Sequence, residues 1–224
     1  MLDKIKALFE TEDGKLIYEA AYGIVKKYDM LPMISEGVLV GFSGGPDSVM
    51  LLCFLLELRR REALDFKITC AHVNHGIREI EAERDEEFCI SICKAFDTEL
   101  IVEKHSVPAL AQANGEGIEE AARNLRYSIF ADIIRGRNNI SAIAVAHNMN
   151  DNAETVLFNI LRGSGANGAG GIRPVRDNII RPLISVLKND ILAAKIFFSD
   201  FFISDTFFHI FKFGEFFLKL VPIF

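Results

Sequence analysis

Hydrophobic positions along the chain alternate between two periods. Residues 1–30 place Leu2, Ile5, Leu8 and Phe9, then Leu16, Ile17, Ala20, Ala21, Ile24 and Val25, at three- and four-residue intervals. That spacing gives a helix one apolar face, so one or two amphipathic helices are predicted there. The next apolar run, 38–42, is short, rich in β-branched residues and stopped by Ser43, Gly44 and Gly45, which predicts a buried strand. A helix pattern follows over about 48–61, then a strand over 66–73, a helix over 81–96 and a strand over 98–102. A helix is predicted over 117–136 (Ala121, Leu125, Ile129, Ile133), a strand over 141–146 and a helix over 151–162. Strand–helix alternation of this kind implies an α/β, Rossmann-like architecture: a parallel sheet with helices on both faces. Ligands of such sheets gather at the carboxyl ends of the strands. Three polar motifs, over 43–48, 72–78 and 147–155, each begin at such an end, which predicts a single site.

Composition narrows the picture. With 224 residues, half of them hydrophobic, the chain can bury one α/β core with a small appendage. A net charge of −6 argues against a globally basic nucleic-acid binder, so any RNA contact falls to a local patch. Met1, Leu2, Asp3 and Lys4 open the chain without the apolar stretch of a signal peptide, and no apolar run reaches membrane-spanning length. The four cysteines, Cys53, Cys70, Cys89 and Cys93, fall inside predicted helices and strands without disulfide or zinc spacing. They read as reduced core residues of a cytoplasmic protein with no membrane partner.

The loop after the first strand carries the plainest chemistry. Gly44 and Gly45 let consecutive backbone N–H groups converge on one point, an anion-binding nest. The helix beginning beyond Asp47 adds its positive end. Ser43 and Ser48 offer hydroxyls, and Asp47 can hold Mg2+ against phosphate oxygens. A kinase-type loop needs a lysine after its glycines, and a dinucleotide fingerprint needs Gly-x-Gly-x-x-Gly; neither is present. The pattern Ser-Gly-Gly-x-Asp-Ser looks like the loop of ATP pyrophosphatases, which cut ATP between the α and β phosphates. An ordinary Gly-Gly turn is the plain alternative, and a match at all five specified positions of a six-residue pattern between strand and helix outweighs it.

The remaining motifs have two readings each. His72 and His75 resemble a metal pair but lack a third ligand of matching spacing; they are expected to lie along a nucleotide, with Arg78 reaching phosphate or RNA. Either histidine can equally be a buried, hydrogen-bonded core residue. Arg123 and Arg126 share a helical face, suited to a solvated pairing with Glu119 and Glu120 or to bidentate contact with an anionic substrate. His147 closes a strand before the polar cluster Asn150, Asp151, Asn152. Asp151 reads as a helix cap, and can also complete a magnesium site begun by Asp47.

Taken in order, Ser-Gly-Gly-x-Asp-Ser (43–48), His-x-Asn-His-Gly-x-Arg (72–78), Glu-x-Ala-Arg-x-x-Arg-Tyr (120–127), Ala-His-x-x-x-Asp-x-x-Glu-Thr (146–155), Arg-Gly-Ser-Gly (162–165) and Ile-Arg-Pro-Leu (180–183) form a set. Over roughly residues 15–190 the chain resembles the tRNA(Ile)-lysidine synthases, PP-loop enzymes with an adenine nucleotide alpha hydrolase-like fold. The resemblance implies a ligase that uses ATP to adenylate the 2-oxo group of the wobble cytidine of isoleucine tRNA. The ε-amino group of L-lysine then displaces AMP, leaving lysidine. It further implies that Ser43, Gly44, Gly45, Pro46, Asp47, Ser48 and His72 bind ATP and that Asp47 and Asp151 position Mg2+. Arg123 would contact the phosphate or adenylate, Arg126 would be the weaker partner, and His147 would sit beside the cytosine. Asn150 departs from the pattern, since many members carry an aspartate there.

The resemblance implies a PP-loop ATP-binding catalytic domain over 31–194 behind the helical segment 1–30. Residues 195–224 differ, with eleven of the nineteen phenylalanines and poor periodicity. They read as a truncated or out-of-frame end in place of the family's tRNA-gripping domains, or as an aromatic tail that packs on a partner. The expectation is ATP–magnesium binding with poor or absent tRNA modification, Arg123, Arg126, Arg135, Arg137, Arg162, Arg173, Arg176 and Arg181 forming at most a weak RNA-facing patch. Two rivals stand beside it: a tRNA 2-thiolation enzyme of the same ATP-activating class, which wants a reactive cysteine pair, and a nucleotide-binding remnant of little activity. Oligomeric state is not encoded in any of these patterns.

Overall fold

Val38, Leu39 and Val40 suit a strand buried on both faces, and in the computed structural model they form the centre of β1 (Gly37–Gly41). The structure describes residues 2–76, 79–163 and 170–194. The expectations resting on Arg78, on Ser164 and Gly165, and on the segment 195–224 lie outside the described residues.

One sheet has the order β3-β2-β1-β4-β6-β5, with β2 (Lys67–Asn74), β3 (Glu99–Lys104), β4 (Ala142–Ala144), β5 (Val175–Arg176) and β6 (Ile179–Ile180). Every pairing is parallel except β5 with β6, an antiparallel edge. Leu39 of β1 stands opposite Thr69 of β2 and Ile143 of β4, so the loop after β1 leaves from the middle of the sheet.

Alternate residues of β1 serve the two faces. Val38, Val40 and Phe42 join a large core with α3 (Pro46–Arg61) and α4 (Glu79–Ala95). Leu39 joins a smaller core with Ile129 and Phe130 of α6 (Ile118–Arg135). Helix α3 is buried without a break from Ser48 to Leu58, which is why its apolar residues run all round it.

The N-terminal helices α1 (Leu2–Leu8) and α2 (Glu12–Lys27) contribute Ile5, Leu8, Ile17, Tyr18, Ala21 and Val25 to the large core. Thr11 caps α2 by accepting from the Gly14 amide at 3.1 Å. At the far end of α3, Glu57 is only 1% exposed and binds Arg60 at 2.7 Å and Arg61 at 2.6 Å. Arg61 lies 3.9 Å from the Tyr18 ring centroid and donates to the Phe9 carbonyl.

The elements that periodicity does not predict are short. Helix α5 (Val107–Asn114) has little beyond Val107 and Ala111 to bury and ends on Gly115 at φ +67°. A 3-10 turn spans Pro32–Ile34, and two-residue strands such as β5 and β6 are too brief for an alternating pattern. The ladder of β4 covers three residues of the run expected over 141–146. Among the described residues no helix is long and apolar enough to cross a membrane.

Candidate active site

The carboxyl ends of β1, β2 and β4 open onto one cavity of about 1270 Å³, lined by residues of all three sequence motifs. Ser43, Gly45, Asp47, Ser48, His72, Arg123 and His147 are on its wall. Gly44 and Pro46 shape the loop from behind, and Asp151 reaches the site through Asn148.

Gly44 has φ +81°, and a Cβ there would come within 3.0 Å of Cys89 Sγ and 3.2 Å of Phe88 Cδ1. Only glycine suits both that conformation and that approach to α4. Gly45 is the N-cap of α3 and Pro46 its first residue, and the cap residue makes no side-chain hydrogen bond to the helix. Proline is preorganised for that position, and the positive start of a helix suits an anion. Ser43 Oγ accepts from the Gly45 amide at 3.3 Å and lies 3.3 Å from Ser48 Oγ, which donates to the Gly45 carbonyl at 2.9 Å. His72 is buried, with Nδ1 3.0 Å from the Phe42 carbonyl and 3.3 Å from Cys89 Sγ. A carbonyl only accepts, so Nδ1 carries the proton and His72 braces the point where strand becomes loop.

Asn148 is fully buried and links the two carboxylates. Its Nδ2 donates to Asp47 Oδ1 at 3.2 Å, and its amide donates to Asp151 Oδ2 at 2.9 Å. Its Oδ1 accepts from the Asn150 and Asp151 amides at 2.9 and 3.1 Å, closing a capping box on α7 (Met149–Leu161). Sequence reasoning gave the cap to Asp151. The Asn-x-x-Asp spacing was the signal that points to Asn148. Asn150, the departure from the family pattern, has a structural use: its Oδ1 accepts from the Lys188 amide at 3.1 Å. The Met149 amide likewise donates to the Val186 carbonyl at 2.9 Å.

Burial pushes the Asp47 carboxyl above the usual carboxylate range, against the pull of Lys188 and the Asn148 hydrogen bond, with Asp151 pushing it further up. A carboxylate whose charge is disfavoured where it stands is suited to a cation. Among the described residues no three His, Cys, Asp or Glu side chains form a metal cage. Two carboxylates suit Mg2+, which takes most of its remaining ligands from phosphate and water.

His147 accepts at Nδ1 from Arg181 Nε at 3.2 Å, and Arg181, 4% exposed, also donates to the Arg173 carbonyl at 2.8 Å. A guanidinium has no lone pair to offer, so the imidazole is neutral with its proton on Nε2. Burial, then the Arg181 charge, brings its pKa down to about 4. Arg181 is the second residue to which sequence reasoning gave no place in the site, because its partner lies 34 residues away.

Arg123 and Arg126 both line the cavity, and among the described residues neither forms an ion pair with Glu119 or Glu120. Arg123 stands 5.8 Å over the Tyr127 ring. The Arg126 side chain is exposed overall, yet protein crowding its guanidinium and the charge of Arg123 lower its pKa. His75 lines the same wall, and burial followed by the Arg126 charge lowers its pKa. All four cysteines are free and buried, and among the described residues none lines the cavity.

Residues 21–205 match the family model of the PP-loop domain. The tRNA(Ile)-lysidine synthase of Caldanaerobacter subterraneus subsp. tengcongensis is 42% identical over 167 residues, 75% of this chain and 35% of that protein. The tRNA(Ile)-lysidine synthase of Clostridioides difficile is 37% identical over 177 residues, 79% of this chain and 37% of that protein. The chain thus spans little more than a third of the length of these curated relatives. Among solved structures, the U34-tRNA thiolase NcsA from Methanococcus maripaludis superposes with a TM-score of 0.62 at 20% identity, over 81% of this chain and 62% of that one. That likeness is one of fold.

Proposed function

Because this chain belongs to the PP-loop domain family, we propose that its cavity binds ATP with Mg2+ and activates the wobble cytidine of isoleucine tRNA for attack by L-lysine. In the first step the cytidine 2-oxo oxygen bonds to the α-phosphorus and pyrophosphate departs. In the second the lysine ε-amino nitrogen bonds to C2 of the base, AMP departs with the oxygen, and a proton leaves the nitrogen. The observation that carries this reading is the Asp47–Asn148–Asp151 connection, which sets two carboxylates from two strand ends beside an anion-binding loop.

Each residue has a task suited to its surroundings. The Ser43–Ser48 loop and the start of α3 hold the leaving pyrophosphate through backbone amides and hydroxyls. Asp47 and Asp151 hold Mg2+, which neutralises phosphate charge when bound. Arg123 faces the α-phosphate or the adenylate. His147, neutral with its proton on Nε2, donates a hydrogen bond at the cytosine rather than serving as a base. His72 holds the loop in shape and presents Nε2 to the nucleotide. The poor nucleophilicity of an amide-like oxygen makes alignment the main contribution. Sulfur transfer fits less well, since all four cysteines are buried and, among the described residues, none lines the cavity.

The test is incorporation of labelled lysine into isoleucine tRNA bearing a wobble cytidine, with AMP and pyrophosphate followed in parallel. The reading expects AMP and pyrophosphate release that requires ATP, Mg2+ and that cytidine together. Nucleotide binding without either product under all conditions identifies a binding remnant instead. Sulfur incorporation identifies the thiolation rival.

A further inference from the structure

We infer that Phe158 and Arg162 form a stacking platform for an unpaired RNA base adjoining the one that reacts. This rests on the RNA-directed reading above and adds a part to the same site. Phe158 is 51% exposed, the Arg162 guanidinium lies 4.0 Å from its ring centroid, and both residues line the cavity. An open aromatic ring backed by a guanidinium is the surface on which unpaired bases stack, because every base offers a π face. RNA is recognised in sequence chiefly through such splayed bases.

Helical spacing separates this pair from the rest of the apolar surface of α7. Asp151, Thr155, Phe158 and Arg162 recur at i, i+4, i+7 and i+11, one face that begins at the magnesium carboxylate. Met149, Leu157, Ile160 and Leu161 are exposed too but do not line the cavity. Phe158 stands seven residues past Asp151, about 10 Å along the helix. In the sheet, β2 and β4 flank β1 on opposite sides. A nucleotide laid along the β2 tip therefore leaves the α7 side for a second substrate. The cavity of about 1270 Å³ exceeds the ~300–1,000 Å³ that encloses one small ligand. Arg123, Arg126 and Arg162 on the wall supply guanidiniums for a phosphate backbone, beside the carboxylates of Asp47, Asp85, Glu119 and Glu120.

The chain has no tryptophan, so Phe158→Trp in the full chain provides a single emitter at the platform. It is titrated, with a non-hydrolysable ATP analogue and Mg2+ saturating, with a seven-nucleotide RNA carrying a CAU anticodon sequence. The control RNA has abasic sites at the positions flanking the cytidine. Expected are quenching by the intact RNA, about tenfold weaker binding of the abasic RNA, and a loss of similar size on adding Arg162→Ala. Phe158→Leu in the parent chain is expected to keep the fold and the ATP-analogue affinity while losing the preference for intact over abasic RNA. Equal binding of both RNAs, binding without quenching, no RNA binding, or quenching by the ATP analogue alone each overturns the platform. Quenching that follows protein concentration without RNA overturns it in favour of self-association. Calorimetric titration of the unsubstituted chain with the ATP analogue separates the two claims: failure there removes the nucleotide site, whereas success with no stacking removes only the platform.

Discussion

Asp47 holds its charge in a place that disfavours it, between the Asn148 amide and the repulsion of Asp151. Asp47→Asn keeps the shape and removes the charge. Adenylation is expected to fall by on the order of a hundredfold or more, with an unchanged or raised urea midpoint, because a buried charge is lost with no core volume. Pyrophosphate release and equilibrium unfolding check the two halves of that statement. His147 gives a pH dependence of definite sign. Its folded pKa, about 4, lies below the ordinary value of 6.5, so between those values the unfolded chain binds more protons. Stability from this group is complete above about pH 6.5 and is lost as pH falls toward 4, by no more than about 3 kcal/mol. Asp47, with its raised pKa, acts in the opposite sense, so the comparison must be with His147→Gln, whose urea midpoint is expected to fall less over pH 6.5–4. At this scale the sequence was partly legible. Ser43, Asp47 and His147 announce themselves because polar residues interrupt apolar runs. Asn148 and Arg181 act through partners distant in the chain: the Asn-x-x-Asp spacing marks Asn148 as a cap and the Ile-Arg-Pro-Leu motif contains Arg181, but neither signal names Asp47 or His147 as the partner.

The β1–loop–α3 unit was legible because its parts agree: a strand buried on both faces, two glycines, a proline at the first helical position and an apolar helix. Its weak point is Gly44. Gly44→Ala meets two separate obstacles, a φ of +81° costing about 1–2 kcal/mol and the 3.0 Å approach to Cys89 Sγ. ATP-analogue affinity is expected to drop at least tenfold with little change in circular dichroism. Adding Cys89→Ala should recover only part of it, since the smaller side chain relieves the contact and not the backbone. Helix α7 was legible as a helix, and its two faces were not told apart. The motif-bearing face drew attention, while the exposure of Leu157, Ile160 and Leu161 emerges only when the neighbours are seen to leave them uncovered. Helix α5 escaped because a short run of alanines with Gln112 and Asn114 has no apolar stripe for periodicity to detect.

Across the whole molecule, parallel order and two covered faces followed from the alternation of periods, but the strand order did not, because crossovers carry no local signature. The attachment of α1 and α2 was equally hidden. Besides the packing of Ile5, Leu8, Ile17 and Tyr18 in the core, it involves Arg61, which touches Tyr18 and Phe9 from one end of α3 while binding the enclosed Glu57. Arg61→Ala is expected to destabilise the chain by about 1–3 kcal/mol and to speed amide exchange in α1 and α2 ahead of the sheet. Denaturant unfolding and peptide-resolved hydrogen exchange test both. Uniform acceleration throughout the sheet as well would show that these helices do not open as a separate unit.

The hydrogen bond between Asp47 and Asn148 spans 101 positions. On the ribosome, at about 5–20 residues per second, the glycine loop is made some 5–20 s before its amide partner emerges. For that interval β1 lacks its neighbour β4, and Asp47 lacks the side chain that positions it. A nascent chain therefore carries the complete glycine loop long before the side chain that would position Asp47 in the proposed site exists.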